Sequence, residues 1–493
     1  MGNRNRIFCG ITLALTMAAP VSAVTCESLT SLALPNTTIT SAQTANSAGG
    51  SQVLPAFCRV AATIRPTSDS DIKIEVWLPL EGWNGNLVAN GNGGWSGSIN
   101  PQTLAAGLTR GYASAMSDLG HEGSSASFAL GHPEKLVDFG YRAAHEMAVA
   151  AKAIAAVYYG HGPKYSYWSG CSAGGRSALM EAQRFPADFD GIIAGAPGLN
   201  WTGRAIQSVW VAQAAHRSDE AYIPPDKYSL VHEAVLKACD ARDGVTDGVL
   251  EDPTRCNFDP VEIQCNGPDN LQCLTPPQVE TARAIYATVK DPRTKKSVVP
   301  GFERGSELGW GTMAGPKPFG IGADLFKFVV FQDPTWDYKT FNFDSDLART
   351  SKAENGRLNA MNPNLRAFMD RGGKLIQYHG WSDPQIAPSS SVEYYTSVLE
   401  TFGGAATVQS SYRLFMVPGM GHCRGGDGTS SFDMLSALQQ WVENGKAPDR
   451  IDASRLRNGI IERTRPLCPY PEVAVYTGKG SADQAANFSC KLP

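Results

Sequence analysis

The segment GCSAGGR, residues 170–176, decides the fold prediction because a serine framed by glycines lies between two different kinds of sequence pattern. The run YSYWSGC before it is typical of a buried strand, and SALMEAQRF after it is typical of a helix. A G-x-S-x-G turn from strand to helix places a serine hydroxyl on an exposed, sharp bend. A glycine-rich packing turn is the alternative, since 50 of the 493 residues are glycine and the motif alone is weak. The sequence context favours Ser172 as a nucleophile.

Strand-like and helix-like patterns alternate through the first 200 residues, which predicts an α/β fold with a mostly parallel sheet and helices on both faces. The pattern breaks after Pro197, and the next clear sheet strand begins near Gly372. One connecting helix needs far fewer residues, so we predict a large lid domain inserted between two sheet strands. The predicted organisation is a signal peptide at residues 1–23, a core at 24–199 and 361–493, and a lid at 200–360.

A serine nucleophile in such a fold needs an acid and then a histidine later in the chain. Asp383 in HGWSDP and His422 in VPGMGHC each follow a predicted strand. His379 is the competing histidine, but it lies at the end of its strand, and we interpret it as structural. The predicted triad is Ser172, Asp383 and His422.

The oxyanion that forms during acyl transfer needs backbone N–H donors. We expect one from Ala173, directly after the nucleophile, and one from the NGNGGW turn at Gly93 or Gly94. Asp118 and His121 precede the serine and are predicted to brace the neighbouring turn.

Charge and the N-terminus bear on location and partners. The net charge is −4 without basic runs, so we expect no nucleic-acid partner and no anionic membrane partner. Arg4 and Arg6 precede an apolar run that ends in the small residues VSA, the pattern of a signal peptide. A membrane anchor is the alternative, but the apolar run is too short to span a bilayer. We predict a secreted or periplasmic protein.

Cysteine usage agrees with that location. Cys9 lies in the signal segment, and the ten remaining cysteines suggest five disulfides. Zinc is the competing explanation, but no CxxC pair or histidine cluster has ligand spacing. Cys171 and Cys423 flank the predicted serine and histidine, so triad geometry would bring them within disulfide range. A catalytic Cys171 is the alternative, which an oxidising compartment disfavours.

GCSAGGR, HGWSDP and GMGHC together resemble the Cys-Ser, Asp, His-Cys arrangement of the tannase and feruloyl esterase family, which includes mono(2-hydroxyethyl) terephthalate hydrolase-like enzymes. Further segments, such as AQRFPADFDGIIAGAP and WVENGKAPDRI, are also similar to that family. The resemblance implies an α/β-hydrolase fold with a lid, a calcium ion in the lid and five disulfides. The implied pairs are Cys171–Cys423, Cys239–Cys256, Cys265–Cys273, Cys26–Cys58 and Cys468–Cys490.

The calcium hypothesis can be weighed against CDARDGVTDGVLEDPTRC, which places three aspartates among glycines between two cysteines. Carboxylate oxygens on a flexible turn suit Ca²⁺, although the loop is not an EF-hand, and an acidic solvated turn is the alternative. With the resemblance, the predicted ligands are Asp240, Asp243 and Asp247 with the carbonyls of Val245 and Val249.

The sequence and the resemblance together predict a secreted serine carboxylesterase that hydrolyses small esters of aromatic acids, feruloyl esters first, with the ester attached to plant polysaccharide or polyphenol. Tannase activity on galloyl esters and terephthalate monoester hydrolysis are alternatives on the same scaffold. A secreted serine peptidase and a non-catalytic, calcium-dependent binding module are rivals of other classes. Candidate walls of the acyl pocket are Trp310, Phe326, Phe331 and Trp336, for which packing in the lid is an equal alternative.

Overall fold

The computed structural model describes residues 1–2, 24–47 and 53–493. Most of the predicted signal peptide, including Cys9, therefore lies outside the described residues. The strands are β1 (Thr37–Ser47), β2 (Val53–Ile64), β3 (Ile72–Pro79), β4 (Asn86–Asn90), β5 (Ala113–Ser117), β6 (Tyr165–Cys171), β7 (Gly191–Gly195), β8 (Val289–Lys290), β9 (Ser297–Val299), β10 (Lys374–Gly380), β11 (Tyr412–Val417), β12 (Ile451–Arg457), β13 (Ile460–Leu467), β14 (Val473–Tyr476) and β15 (Phe488–Lys491). The helices are α1 (Pro101–Leu108), α2 (Pro133–Val137), α3 (Ala143–Tyr159), α4 (Ala173–Arg184), α5 (Trp201–Ala215), α6 (Tyr228–Cys239), α7 (Pro276–Tyr286), α8 (Gly311–Ala314), α9 (Gly320–Asp324), α10 (Asp346–Glu354), α11 (Arg366–Asp370), α12 (Ser389–Thr401), α13 (Ala405–Val408) and α14 (Met434–Asn444).

One large mixed sheet forms the centre of the molecule, in the order β1-β2-β3-β5-β4-β6-β7-β10-β11. The first four strands of that order pair antiparallel. From β5 onward every neighbouring pair is parallel. The carboxyl ends of β4, β6, β10 and β11 therefore lie at one edge of the sheet, where ligands bind in open α/β sheets. The α/β prediction is confirmed.

Local sequence explains the core elements well. The alternating run after Asp71 forms β3, and the alanine-rich run before Gly160 forms α3. Gly160 ends that helix in the left-handed region, with φ of 79°. The helix starts later than its pattern suggests, because residues Asp138–Arg142 form a π-helical turn ahead of it. Gly445 ends α14 in the same left-handed way.

A long insertion separates two strands that are neighbours in the sheet. β7 pairs with β10 in parallel, with Gly191 opposite Lys374, although residues 196–373 lie between them in the chain. The insertion contains helices α5 to α11 and the short hairpin β8–β9. Some of its apolar side chains form a separate cluster around Val231, Ile285 and Trp310, and others, such as Phe326 and Trp336, join the main core. This is the lid, whose exact domain boundaries stay a prediction.

Two small hairpins, β12–β13 and β14–β15, follow the last core helix and lie outside the main sheet. No pattern in the sequence had predicted them. Within residues 24–47 and 53–493, the helices are all too short or too polar to cross a membrane.

Candidate active site

Ser172 occupies a strained bend between β6 and α4. Its φ of 64° and ψ of −120° are unusual for a residue with a Cβ, and its backbone N–H donates to the Gly195 carbonyl at 2.9 Å. A Cβ at Gly170 would lie 2.5 Å from the backbone of Gly174, and a Cβ at Gly175 would lie 2.3 Å from Gly195 O. The glycines of the motif are required by close backbone packing, which holds the serine at the sheet edge.

Asp383 and His422 meet at the ends of β10 and β11. His422 Nδ1 donates to Asp383 Oδ2 at 2.6 Å, and the other carboxylate oxygen accepts the backbone N–H groups of Gln385 and Ile386 at 2.7 and 3.1 Å. Asp383 is fully buried. Burial favours the neutral acid, but the charge of His422 and the hydrogen bonds from both nearby histidines outweigh it and hold the pKa of Asp383 well below its usual range. The acid is therefore ionised and orients the imidazole.

His379 is the second histidine on this carboxylate. Its Nε2 lies 3.1 Å from Asp383 Oδ2, and its Nδ1 lies 2.7 Å from the Ser391 hydroxyl. The sequence had indicated a structural histidine here, without indicating that it shares the triad acid. The four-residue separation of His379 and Asp383 in HGWSD, across a tight turn, was the available signal.

A disulfide between Cys171 and Cys423 joins the serine bend to the histidine loop, with Cα atoms 6.1 Å apart. Ser172 and His422 are the adjacent residues, so the bond draws their backbones together. Among the hydrogen bonds of the described residues, none joins Ser172 Oγ to the His422 ring. Such contacts often tighten only when substrate binds, so the role of each triad member stays a prediction.

The predicted oxyanion donors belong to two segments that pack against each other, the start of α4 and the turn after β4. Ala173 begins α4, so its N–H has no acceptor within the helix. Gly93 and Gly94 lie in the turn after β4, which packs against the serine bend: a Cβ at Gly91 would lie 2.5 Å from Gly174 Cα. Which of the two glycines donates stays a prediction.

His121 and Asp118 brace this region, as the sequence suggested. His121 Nε2 contacts the Trp95 carbonyl at 2.8 Å, at the end of the turn that carries the predicted oxyanion donors Gly93 and Gly94. Asp118 accepts the N–H groups of Lys73 and Gly120 at 2.9 and 2.8 Å. Burial raises the pKa of Asp118 to about 7 against those two hydrogen bonds.

The lid reaches the turn after β4, residues 91–95, through the segment Gly320–Asp324, which sequence reasoning did not single out. Trp95 Nε1 donates to the Ile321 carbonyl at 2.9 Å, and a Cβ at Gly94 would lie 3.0 Å from Ile321 Cδ1. The Asp324 carboxylate accepts the Ala126 N–H at 3.1 Å. Ile321 is therefore a lid residue that packs against the turn containing Gly94 and Trp95.

A second lid contact reaches the histidine loop. His232 of α6 is buried, with Nδ1 2.8 Å from Glu307 Oε2 in the lid and Nε2 3.5 Å from Asp427 Oδ2 in the loop that carries His422. Glu307 also accepts the Tyr286 hydroxyl at 2.7 Å. Burial lowers the pKa of His232, but the hydrogen bond and charge of Glu307 and the charge of Asp427 outweigh it, so the pKa is raised.

The four aromatic side chains predicted to line the acyl pocket pack within the protein. Trp310 stacks edge-on against Tyr228 and Tyr286. Phe331 stacks on Trp336, both rings also pack at a tilt against Phe326, and Phe326 is fully buried. This is the packing arrangement that was the alternative interpretation. A substrate contact for any of the four stays a prediction.

The predicted calcium loop forms the start of the segment closed by Cys239–Cys256. Asp243, Val245, Asp247 and Val249 line one small cavity together with Glu251 and Arg465. The Asp240 carboxylate accepts the N–H groups of Asp247 and Gly248, and Asp247 is paired with Arg465.

Burying these carboxylates in their charged form costs free energy, and a bound cation would offset that cost. Burial, reinforced by the charges of Asp247 and Asp240, raises the pKa of Asp243 to about 6, and burial raises that of Glu251 to about 8. The oxygen-only donor set suits Ca²⁺. Nevertheless, no three acidic, histidine or cysteine side chains in the described ranges are arranged to hold a metal ion as they stand.

The five disulfides are those that the resemblance implied. Besides Cys171–Cys423 and Cys239–Cys256, the structure contains Cys26–Cys58, Cys265–Cys273 and Cys468–Cys490. Because all ten cysteines outside the predicted signal segment are bonded, a free thiolate at Cys171 does not occur in this structure.

Comparison with known proteins decides the family. The family model described as "Tannase and feruloyl esterase" matches residues 58–491. The chain belongs to the tannase and feruloyl esterase family. It is 40% identical to an uncharacterized esterase of Xanthomonas campestris pv. campestris, over 97% of this chain and 92% of that protein. It is 33% identical to a probable feruloyl esterase B-1 of Aspergillus flavus, over 88% of this chain and 86% of that protein.

A solved structure of the same family agrees with the fold. The crystal structure of feruloyl esterase B from Aspergillus oryzae superimposes with a TM-score of 0.89 at 29% identity, covering 94% of this chain and 99% of that chain. Membership of the tannase and feruloyl esterase family makes this protein a carboxylic ester hydrolase.

Proposed function

We propose that the protein is a secreted serine carboxylesterase that hydrolyses esters of aromatic acids, feruloyl esters first, with Ser172 as the nucleophile. The observation that carries the proposal is the Asp383–His422 hydrogen bond on a loop that is disulfide-bonded to the serine bend. The feruloyl preference is supported by relatives named as feruloyl esterases.

The proposed chemistry is acyl transfer through Ser172. His422 accepts the Ser172 hydroxyl proton as Oγ bonds to the ester carbonyl carbon, which gives a tetrahedral oxyanion. The N–H groups of Ala173 and of Gly93 or Gly94 stabilise that charge. The carbon–oxygen bond to the alcohol then breaks, and His422 returns the proton to the departing oxygen. A water molecule, deprotonated by His422, releases the aromatic acid from Ser172 by the same steps.

The buried acid explains why the histidine can take up charge. Asp383 is ionised and fixed by two backbone N–H groups, so its Oδ2 holds His422 with Nδ1 protonated and Nε2 free to accept a proton. The imidazolium formed during each proton transfer is then stabilised at once by the adjacent carboxylate.

Secretion and the natural form of the substrate extend the proposal. Five disulfides support an oxidising compartment, which the predicted signal peptide at residues 1–23 would supply. Feruloyl-type acids attached to plant polysaccharide or polyphenol are the proposed physiological esters.

Calcium is a further part of the proposal. The ion would be held by the carboxylates of Asp240, Asp243 and Asp247 and the carbonyls of Val245 and Val249. Its support is the all-oxygen donor set, four members of which line one cavity, and the cost of burying those carboxylates together. When bound, the ion would neutralise the buried charge and stabilise the lid, away from the ester chemistry.

A substrate panel tests the activity. Methyl ferulate, methyl gallate, mono(2-hydroxyethyl) terephthalate and the anilide of ferulic acid are compared by kcat/KM, with Ser172→Ala as the control. We expect the highest value for methyl ferulate, no anilide cleavage, and a loss of about 10⁴-fold or more in the variant. A preference for the gallate or the terephthalate ester would change the proposed substrate class to that ester and leave the family unchanged. Cleavage of the anilide would favour the peptidase, and retained activity in Ser172→Ala would reject the nucleophile.

A further inference from the structure

The carboxylate of Asp383 accepts more hydrogen bonds than the triad requires. Oδ2 accepts from His422 at 2.6 Å and from His379 at 3.1 Å, and Oδ1 accepts from two backbone N–H groups. Asp383 and His379 are both fully buried. A second imidazole on the oxygen that serves His422 is not needed to satisfy a lone buried acid, which already has three donors.

The hydrogen bonds around His379 fix its proton. A neutral imidazole has one donor nitrogen, and an ionised carboxylate can only accept. Nε2 of His379 must therefore carry the proton toward Asp383. In the neutral ring Nδ1 is then the acceptor of the Ser391 hydroxyl, 2.7 Å away. Ser391 is itself fully buried on α12, so the ring has a built partner at each nitrogen.

We propose that His379 is a positioning residue of the ester hydrolysis, held by Ser391 so that its Nε2–H donates to the Asp383 carboxylate that also serves His422. This rests on the proposed function. The shared hydrogen bond has two effects: it fixes Oδ2 in line with His422, and it draws negative charge away from the His422 hydrogen bond. His379 keeps its own proton throughout, while the proton from Ser172 passes only to His422 and back.

The charge effect gives a measurable consequence. Groups that face Asp383 are His422 from the histidine loop, His379 from β10 and the Arg204 guanidinium from α5, whose charge acts on the acid. Without the His379 donor, more of the carboxylate charge acts on His422 and favours its imidazolium form. Because the imidazolium cannot act as a base, activity should then appear only at higher pH.

Two replacements separate positioning from packing. His379→Gln can place an amide N–H near the position of Nε2, where it can donate to Asp383. The shorter side chain of His379→Asn can form a hydrogen bond only with Ser391. We expect the acid limb of the kcat/KM profile to move up by about half a pH unit or more in His379→Asn. His379→Gln should stay close to the original profile. Both should lose thermal stability to a similar extent, since both shorten or reshape a buried ring.

Ser391→Ala provides a third variant in which the imidazole volume is kept. Without the hydroxyl, the ring is no longer fixed with its Nε2 proton toward Asp383, so the acid limb should move in the same direction by less. This variant keeps the test valid if His379→Asn does not fold.

The rate at which a fluorophosphonate labels Ser172 is measured across the same pH range, because it reports nucleophile activation without the natural substrate. Shifts in His379→Asn and Ser391→Ala, with His379→Gln near the original, support the proposal. Unshifted profiles in His379→Asn and Ser391→Ala, with only lower melting temperatures, overturn it and make His379 a packing residue. If the unmodified protein is not labelled at Ser172 at all, the proposed function has failed instead, and that outcome also removes this proposal.

Discussion

Cys171 and Cys423 are 252 residues apart in the chain, yet their Cα atoms lie 6.1 Å apart and their sulfurs are bonded. The bond connects the residues directly beside Ser172 and His422. Between these two loops the chain forms the whole lid, so their relative position depends on long-range packing. The disulfide therefore limits how far Ser172 and His422, the proposed nucleophile and base, can move relative to each other.

Replacing both cysteines by serine should therefore affect the rate more than the fold. We expect kcat to fall by about 10- to 100-fold, because small misplacements of reacting groups are costly. The loss in free energy of unfolding should stay below the roughly 5 kcal/mol that the chain-entropy treatment gives for so long a loop. The Cys265→Ser, Cys273→Ser double variant, which opens a short lid loop, is the matched control. Equal loss of kcat in both double variants would contradict the positioning role.

The backbone at Ser172 predicts a stability difference between two inactive variants. With φ of 64° and ψ of −120°, the position strains any residue with a Cβ but suits glycine. Ser172→Gly should be more stable than Ser172→Ala by about 1 kcal/mol or more, despite the greater freedom of glycine in the unfolded chain. Thermal or denaturant unfolding of the two proteins measures this. A more stable alanine variant would show that the bend carries no strain.

His232 gives a pH-dependent prediction for the lid. Its pKa is raised in the folded protein, so its contribution to stability is fully present below the unfolded value near 6.5 and is lost as pH rises through the folded value. The stability gap between the unmodified protein and His232→Gln should be about 1.5 kcal/mol at pH 5.5 and should shrink at alkaline pH.

Unfolding curves from pH 5.5 to 8.5 test this gap. Asp427→Asn serves as a second variant, since it removes the partner in the histidine loop and keeps Glu307 in the lid. In that background the gap should depend less on pH. A gap of constant size across the range would show that His232 contributes only by packing.

Calcium binding in the lid loop is tested by elemental analysis and chelation. We expect one Ca²⁺ per chain and a lower melting temperature after chelation, because binding to the folded state alone stabilises it by mass action. The Ser172 chemistry should change less than the melting temperature. Asp243→Asn should lower the melting temperature of the calcium-loaded protein only. Absence of calcium, together with an unchanged Asp243→Asn, would remove the ion from the proposal.

Much of the core could be predicted because its elements carry strong local patterns. The strand before Ser172, the alanine-rich helix α3 and the strand before Asp383 each have a clear period and a glycine or turn at the end. The chain order of serine, acid and histidine then followed from their places after strands. These features depend on neighbours in sequence, which is what pattern reasoning reads.

The helices and contacts of the lid could not be predicted from local sequence patterns. Helix α5 is buried along most of its length, so it has no polar face to reveal its period. Trp310 and Phe326 were visible as aromatics, but only packing decides whether a ring faces a substrate or another ring. Ile321 and His232 act through contacts with residues more than 190 positions away, and no local pattern marks such contacts.

The pairing of β7 with β10 has a consequence for how such an enzyme can diversify. The chain leaves the sheet after Gly195 and returns at Lys374 beside the same strand, so the sheet does not depend on the length of the excursion. Closing a longer loop costs only about 0.6 kcal/mol for each doubling of its length. The sequence and length of the insertion can therefore change extensively during evolution while the edge of the sheet that carries Ser172 stays intact. A few contacts between lid and core, such as Trp95–Ile321, must be kept. Changes in the insertion can therefore alter which substrate is bound without changing the residues that cleave the ester.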